Sequence, residues 1–180
     1  MGRLDTAGVL DAYVREIPDW PQPGVTFRDL TPLLASPEAL RLTIEALVAL
    51  VDDVAGGAVD KVVGIEARGF LFGTPVAMAL GVGFVPIRKA GKLPAATYQE
   101  SYALEYGTAI LEIHQDALVS GERVVVLDDV LATGGTLTAA NQLASRCGAD
   151  VAADIVLIEL EALAGRARLS GTPLGALRTL

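Results

Sequence analysis

The stretch of sequence that decides the fold is Val124-Val-Val-Leu-Asp-Asp-Val-Leu-Ala-Thr-Gly-Gly-Thr136. It begins with an apolar run, continues through two aspartates and a glycine-bearing loop, and leads directly into a helix-forming segment. The apolar run does not alternate with polar residues, which is typical of a strand whose two faces are both covered. The stretch therefore predicts a buried strand, a loop and a helix in succession.

The same succession of buried strands and helices continues on both sides of this stretch. The predicted strands are residues 61–65, 84–88, 123–127 and 151–160, and the predicted helices lie near residues 69–80 and 137–147. Strands that alternate with helices form a parallel sheet. We therefore predict an α/β fold in which a central, mainly parallel sheet is flanked by helices.

Two further helices are predicted before this region. Apolar residues recur at helical spacing from Leu4 to Ile17, which predicts an amphipathic helix that ends at Pro18. Ser36 is a suitable cap for a second helix that begins at Pro37. Beyond residue 160 the periodicity is weak, and no element is predicted there.

Length and composition limit the possible classes of protein. A chain of 180 residues, 52% of them hydrophobic, is expected to form a single domain with a sizeable core. Its net charge of −8 disfavours a general nucleic-acid-binding role. The single cysteine, Cys147, excludes an internal disulfide framework and is consistent with a reducing compartment, so we expect a cytoplasmic protein. Residues 69–87 carry no charge, but their four glycines and two prolines favour a buried helix followed by a strand over a membrane span.

The loop at residues 132–136 has the composition of a phosphate site. It is expected to lie at the carboxyl end of a parallel strand and at the start of a helix, where backbone N–H groups bind anions. Its glycines allow close backbone approach, and the hydroxyls of Thr133 and Thr136 can donate hydrogen bonds. The chain has no Walker lysine after this loop and no Gly-x-Gly-x-x-Gly motif, so a phosphomonoester fits better than a triphosphate or a dinucleotide.

Two acidic residues precede this loop. Asp128 and Asp129 would repel an anion unless they accept hydrogen bonds from sugar hydroxyls or hold a cation. A ribose diol would satisfy both carboxylates. The alternative interpretation is an ordinary strand-to-helix turn with an aspartate cap.

A basic segment of the chain indicates a second anion site. Residues 67–97 contain four cations and no carboxylate, although the whole chain is acidic; the cations are Arg68, Arg88, Lys89 and Lys92. Such a local reversal of charge suits a highly charged anion such as pyrophosphate. A solvated basic edge is the alternative. Arg68 follows a predicted buried strand, so it is expected at the same sheet edge as Asp128.

The segment between residues 97 and 114 is predicted to form a two-stranded excursion from the main sheet, with Tyr106-Gly107 between its strands. Tyr102, Glu105 and Tyr106 on this hairpin could either pack on the sheet or close over a ligand, and composition alone favours packing. His114 is the only histidine and has no nearby Ser or Cys in a nucleophile-elbow setting, which argues against a hydrolytic triad.

Four shorter motifs accompany residues 128–136. They are Pro23-Gly-Val-Thr-Phe-Arg-Asp29, Glu66-Ala-Arg-Gly-Phe-Leu-Phe-Gly73, Arg88-Lys-Ala-Gly-Lys-Leu-Pro94 and Leu104-Glu-Tyr-Gly107. Residues 128–136 resemble the phosphoribosyl-diphosphate signature of the type I phosphoribosyltransferases. The four motifs resemble the adenine-using branch of that family, and the resemblance extends from about Ile17 to Leu160.

The resemblance implies a fold, a reaction and a set of partners. It implies a β-hairpin flexible flap at about residues 89–114 and a small N-terminal hood for the base at about residues 1–35. The implied reaction transfers 5-phosphoribosyl from phosphoribosyl diphosphate to adenine, giving AMP and diphosphate in purine salvage. Magnesium (Mg2+) would be held through the substrate, and the protein would be a homodimer. The alternatives are a phosphoribosyltransferase for another base and a nucleotide-sensing regulator without catalysis.

The resemblance also implies roles for individual residues. The 5-phosphate would be bound by Ala132, Thr133, Gly134, Gly135 and Thr136, and the ribose hydroxyls by Asp128 and Asp129. Diphosphate would be bound by Glu66, Ala67, Arg68, Arg88, Lys89, Lys92 and Tyr106, with a cis peptide expected between Glu66 and Ala67. Adenine would be bound by Thr26, Phe27, Arg28 and Leu160, and Glu105 is the candidate general acid or base.

Overall fold

The computed structural model describes residues 6–103, 108–169 and 171–180. The chain divides into two compact units, Met1–Ala46 and Leu47–Leu180. Helix α3, which contains the boundary between them, spans Pro37–Val54.

The first unit consists of short elements. Their bounds are α1 Thr6–Tyr13, β1 Arg15–Ile17, β2 Phe27–Asp29 and α2 Thr31–Ala35, followed by the start of α3. The two strands pair antiparallel, with Ile17 opposite Phe27. At the start of α3 the Ser36 hydroxyl accepts a 3.3 Å hydrogen bond from the Ala39 N–H, so the predicted cap is confirmed.

The prediction that the first helix continues to Ile17 is wrong. Helix α1 ends at Tyr13, and residues 15–17 form β1. The reason is tertiary: Arg15 lies opposite Asp29 in β2, and its Nε atom donates a 3.0 Å hydrogen bond to the Asp29 carboxylate. The backbone pairing and this ion pair outweigh a helical periodicity that a three-residue strand can also satisfy.

The second unit is a seven-stranded sheet with helices. Its elements are β3 Lys61–Ile65, α4 Arg68–Leu80, β4 Gly83–Lys89, β5 Thr97–Ala103, β6 Thr108–His114, β7 Arg123–Leu131, α5 Gly135–Arg146, β8 Asp150–Glu159 and β9 Leu174–Thr179. Two 3-10 helices, Glu161–Leu163 and Gly165–Arg168, precede β9. The strand order is β5-β6-β4-β3-β7-β8-β9, with β4, β3, β7, β8 and β9 parallel. The predicted fold class is confirmed.

The core of this unit lies where the sheet meets its helices. Val124, Val126 and Val156 on the central strands are fully buried, as are Leu137 and Leu143 on α5. Burying one such side chain stabilises the fold by about 1.5–3 kcal/mol. The non-alternating apolar runs therefore mark strands that are covered on both faces. Within the described part of the chain, no helix is both long and apolar enough to cross a membrane.

Three features of the sheet differ from the sequence prediction. Strand β7 continues to Leu131 instead of ending at residue 127, because it keeps its parallel pairing with β8 as far as Glu159. The β5–β6 hairpin is continuous with the main sheet, since β6 pairs with β4 opposite Arg88 and Lys89. Strand β9 forms in the segment for which no element was predicted, and it adds a parallel edge strand beside β8.

One carboxyl group is buried beneath α5. Asp154 on β8 has no exposed surface, and its Oδ2 atom accepts a 3.0 Å hydrogen bond from the Asn141 side-chain amide. Burial raises the pKa of Asp154 to about 7, against the opposing effect of the hydrogen bond from Asn141. The folded protein therefore keeps a proton on Asp154 at pH values where the unfolded chain, with an ordinary pKa of about 3.9, has lost it.

We expect the stability of the wild-type protein relative to an Asp154→Asn variant to fall as the pH rises. The protonated carboxyl is favoured in the folded state, so its contribution is complete below about pH 4 and is lost as the pH rises through about 7. Between pH 5 and pH 8, the free energy of unfolding of the wild type relative to the variant should fall by about 3 kcal/mol, as measured by urea denaturation. Asp150→Asn, at an exposed position of the same strand, is the matched control. A difference between wild type and Asp154→Asn that is constant with pH would contradict the prediction.

Candidate functional site

The candidate site lies at the carboxyl edge of three neighbouring parallel strands. Strands β4, β3 and β7 are adjacent in the sheet and run in the same direction. The segments that follow them are residues 90–96, 66–67 and 132–134. Because these segments all leave the same edge of the sheet, the basic and acidic stretches of the sequence are brought together there.

The start of α4 lies directly against the end of β7. A Cβ atom added at Gly69 would lie 2.7 Å from the Leu127 carbonyl oxygen and 3.2 Å from an Asp128 carboxylate oxygen. One residue earlier, the Arg68 Nε atom lies 2.9 Å from the Asp129 carboxylate. The predicted proximity of Arg68 to the acidic pair is therefore confirmed, and the two aspartates face the same helix terminus although they are adjacent on a strand.

The acidic pair is buried and electrostatically strained. Asp128 and Asp129 are 9% and 6% exposed. Burial, and secondarily the charge of Asp129, raise the pKa of Asp128 well above its ordinary value. The Oδ1 atom of Asp128 accepts a 2.9 Å hydrogen bond from the Asp129 N–H, which opposes the rise. A ligand that donates hydroxyl groups or a positive charge to these carboxylates would relieve the repulsion.

The loop after β7 leads into α5 without a side-chain cap. Gly134 occupies the cap position with a φ of 84°, a backbone conformation that glycine adopts without strain. Because the cap residue is a glycine, it has no side chain that could accept hydrogen bonds from the first N–H groups of the helix. The N–H groups at the start of α5 are therefore suitable donors for an anion, as the sequence predicted.

The basic residues at the end of β4 and in the turn after it lie beside two carboxylates that are far from them in the sequence. The Glu66 carboxylate accepts hydrogen bonds from Arg88 Nη2 and Nε at 3.1 and 3.2 Å, and from the Lys89 N–H at 3.1 Å. The bond from Arg88 is the main cause of a lowered pKa of Glu66. Glu112 on β6 is the second carboxylate and accepts from the N–H groups of Lys92 and Leu93. The side chains of Lys89 and Lys92 are exposed, so the cationic surface consists mainly of lysine.

Leu160 lies beside the end of β7. Its N–H donates a 2.9 Å hydrogen bond to the Leu131 carbonyl, which brings it to the same edge as the loop at residues 132–136. The next turn is fixed by a bidentate ion pair, in which Arg166 contacts the Glu159 carboxylate at 2.6 and 3.0 Å. Arg166 also donates to the Leu174 carbonyl at 3.1 Å.

Comparisons with known proteins agree with this arrangement. A family model for the phosphoribosyl transferase domain matches residues 29–171. An adenine phosphoribosyltransferase from Nocardioides sp. is 57% identical over 170 residues, which cover 94% of this chain and 92% of that protein. The chain belongs to the adenine phosphoribosyltransferase family. Members of this family are pentosyltransferases, so the chain is an enzyme.

Solved structures of the family share the fold over nearly the whole chain. The adenine phosphoribosyltransferase from Thermoanaerobacter pseudethanolicus has a TM-score of 0.91 at 47% identity, with 95% of this chain and 98% of that chain covered. The enzyme from Saccharomyces cerevisiae, crystallised with an imino-altritol bisphosphate and adenine, has a TM-score of 0.91 at 36% identity, with 96% and 98% covered.

The structure describes several further residues of the family motifs. Phe27 and Arg28 belong to the first unit, where the Phe27 ring packs edge-on against Trp20 with ring centroids 4.3 Å apart. Arg28 forms a 2.6 Å ion pair with Glu16. Thr26 precedes β2 in the same unit. The expected cis peptide between Glu66 and Ala67 is present. Glu105 and Tyr106 lie outside the described residues.

Gly165 is a contributor to the site that the sequence prediction missed. A Cβ atom at Gly165 would collide with the Ala132 carbonyl oxygen and would lie 2.9 Å from the Gly134 nitrogen. Conversely, a Cβ atom at Gly134 would lie 2.5 Å from the Gly165 carbonyl oxygen. The two glycines allow the turn before β9 to pack closely against the backbone of residues 132–134. No local signal distinguishes Gly165, because the contact depends on the chain returning beside β8.

Gly165→Ala should therefore impair use of a phosphorylated substrate. The added methyl group must displace the backbone of Ala132, and small displacements at a binding loop carry large kinetic costs. We expect the KM for the phosphoribosyl donor to rise on the order of tenfold or more, measured by steady-state kinetics. Gly83→Ala is the control, since the atoms nearest to its Cβ belong to the flexible Lys61 side chain, the closest at 3.4 Å. An unchanged donor KM in Gly165→Ala would contradict a role for this packing.

Proposed function

We propose that the carboxyl edge of the sheet carries out the family's reaction, the transfer of 5-phosphoribosyl from phosphoribosyl diphosphate to adenine. The observation that supports this most directly is the ion pair between Arg68 and Asp129. It joins the cationic segment to the acidic pair and to the strand that leads into the uncapped helix α5. An activated sugar carries a phosphate, a diol and a diphosphate. The phosphate requires the helix terminus, the diol the acidic pair, and the diphosphate the cationic segment.

The 5-phosphate is assigned to residues 132–136. Their support is the uncapped helix terminus, the left-handed Gly134 and the adjacent threonine hydroxyls. The ribose hydroxyls are assigned to Asp128 and Asp129. Two buried carboxylates beside an anion site are stabilised when hydroxyls donate to them.

The diphosphate is assigned to the cationic side of the edge. Cleavage of the bond between C1 of the ribose and the diphosphate leaves an oxocarbenium-like sugar and a departing polyanion. Groups that stabilise this leaving group contribute most of the rate. They are Arg68, Arg88, Lys89 and Lys92, together with the peptide between Glu66 and Ala67 and with Tyr106.

Magnesium is proposed as the metal, held mainly through the substrate. Mg2+ prefers oxygen ligands and usually binds one or two carboxylates together with substrate phosphates. Asp128 and Asp129 are assigned to the ribose hydroxyls of the same substrate, so the direct ligands of the metal would come mainly from that substrate. Among the described residues, no three His, Cys, Asp or Glu side chains cluster to form a complete metal site. When bound, the metal neutralises charge on the leaving diphosphate.

Adenine recognition is assigned to Thr26, Phe27, Arg28 and Leu160. Phe27 offers an aromatic ring for stacking, and Leu160 offers an apolar side chain at the end of β8. The chain is further proposed to work in the cytoplasm as a homodimer. Support for a homodimer comes from α4, whose Leu71 and Met78 side chains are 49% and 77% exposed.

The choice of base can be tested directly. We expect purified protein, supplied with phosphoribosyl diphosphate and magnesium, to release diphosphate with adenine and much more slowly with hypoxanthine, guanine or uracil. Diphosphate release and nucleotide formation would be measured together. Faster turnover of another base would assign a different phosphoribosyltransferase, and donor binding without release would favour the regulator.

Glu105 is proposed as the general acid or base that manages the purine proton as N9 attacks the sugar. We expect Glu105→Gln to lower kcat by about 10²–10⁴-fold, because the amide cannot transfer the proton. Adenine affinity, measured by calorimetry, should change much less. Glu100→Gln on β5 is a matched control that replaces a carboxylate contacting Arg146, a residue with no proposed role in the reaction. Unchanged turnover in Glu105→Gln would remove this role.

A further inference from the structure

The turn that carries Lys92 is held by a buried carboxylate outside every motif of the sequence. We call residues 89–93 the basic turn. Glu112 stands on β6 directly opposite Arg88 on β4 and directly opposite Gln99 on β5. It is 2% exposed, whereas Lys89 and Lys92 are exposed. A carboxylate is therefore buried in the sheet next to the cationic surface.

Glu112 acts as an internal anion for the backbone of the basic turn. Its Oε1 atom accepts hydrogen bonds from the N–H groups of Lys92 at 2.8 Å and Leu93 at 2.9 Å. Its Oε2 atom accepts one from the Gln99 side-chain amide at 3.2 Å. Successive backbone N–H groups in a turn form a concavity that binds anions, and the Glu112 side chain occupies it.

The charge of Glu112 is maintained by these contacts. Burial raises the pKa of the Glu112 carboxyl, but hydrogen bonds from the N–H groups of Leu93, Lys92 and Gly91 together lower it by more. The pKa therefore lies below its ordinary value. The carboxylate is therefore ionised at neutral pH. Charge-assisted hydrogen bonds of this kind are stronger than neutral ones.

Lys92 is held from both sides of its backbone. Its N–H donates to Glu112, and its carbonyl oxygen accepts a 3.1 Å hydrogen bond from the Arg88 guanidinium. That guanidinium is itself bound by Glu66. The flexible four-carbon stem of a lysine does little to fix the position of its ammonium group. A fixed backbone therefore limits where the charge can lie.

We propose that Glu112 is a positioning residue for the phosphoribosyl donor, because it fixes the backbone that presents the Lys92 ammonium group to the diphosphate. The proposal rests on the proposed function of Lys92 in binding that group. It adds a residue that touches no substrate and acts through the basic turn. The contribution of Glu112 is the hydrogen-bond acceptor that it supplies to two backbone N–H groups.

The test compares the wild type with five variants of the full chain, which are four single substitutions and the combination of Glu112→Leu with Lys92→Ala. Glu112→Leu removes both acceptor atoms, and Glu112→Gln keeps one oxygen that can accept from Lys92 and Leu93. Glu122→Leu is the matched control, because the Glu122 carboxylate also accepts a backbone N–H, from Val119, but lies beside Lys61 at the amino end of β3. Lys92→Ala tests the proposed function itself. The measurements are kcat and KM for phosphoribosyl diphosphate, KM for adenine, and Tm.

We expect Glu112→Leu to lower kcat/KM for the donor by roughly 10- to 100-fold with the adenine KM within about twofold of wild type. Glu112→Gln should restore most of this loss, and Glu122→Leu should lower Tm without a selective donor defect. Combining Glu112→Leu with Lys92→Ala should cost little more than Lys92→Ala alone, since the two residues act as one unit. If Glu112→Leu cannot be obtained folded, Glu112→Asp, which retracts the carboxylate by one carbon, replaces it in the comparison.

Two results would overturn the proposal, and they are distinguishable from failure of the proposed function. A normal donor kcat/KM in Glu112→Leu, with Lys92→Ala impaired, would remove the positioning role and leave the function of Lys92 intact. Equal losses for donor and adenine, matching those of Glu122→Leu, would assign Glu112 to general stability alone. A normal donor kcat/KM in Lys92→Ala would end both the proposed function of Lys92 and the inference from it.

Discussion

The close approach of α4 to the end of β7 is the constraint on which the candidate site depends. Gly69 leaves no space for a side chain, since a Cβ atom there would lie 2.7 Å from the Leu127 carbonyl oxygen. This packing places the preceding Arg68 against Asp129 and the helix terminus beside Asp128. A larger residue would separate the cation from the acid pair. The backbone packing therefore comes first, and the electrostatics of the edge follow from it.

Local sequence patterns were sufficient for most of the second unit and failed where a tertiary contact decides. The apolar run at residues 61–65 predicts β3 with both of its ends. The same reasoning predicted an end for β7 at residue 127, which is too early, because two adjacent aspartates usually indicate a loop. In the protein the strand continues through Asp128 and Asp129, since pairing with β8 persists and the start of α4 lies against their carboxylates. Strand β9 was missed because its residues have only weak apolar periodicity.

The charge of the site illustrates a second limit of sequence reasoning. A count over residues 67–97 gives four cations and no carboxylate, which correctly singles out an unusual segment. The partner Glu66 follows β3 and the partner Glu112 lies on β6, and both meet that segment only through the sheet order β6-β4-β3. Glu66 binds the Arg88 guanidinium, whereas the two lysines remain exposed. Net charge along a chain therefore locates a cationic surface but does not identify which of its cations face solvent.

The candidate site also depends on the turn before β9. Gly165 lies against the backbone of Ala132 and Gly134, and Arg166 links the Glu159 carboxylate to the Leu174 carbonyl. The loop at residues 132–136 is thus supported by a segment that follows it in the chain by about thirty residues. The contacts of Gly69 and Gly165 determine how closely α4 and the turn before β9 approach the end of β7. At this edge of the sheet, buried carboxylates bind guanidinium or backbone N–H groups. Because Glu66, Glu112 and Glu159 already bind guanidinium or backbone N–H groups, they leave the exposed ammonium groups of Lys89 and Lys92 uncompensated by these carboxylates.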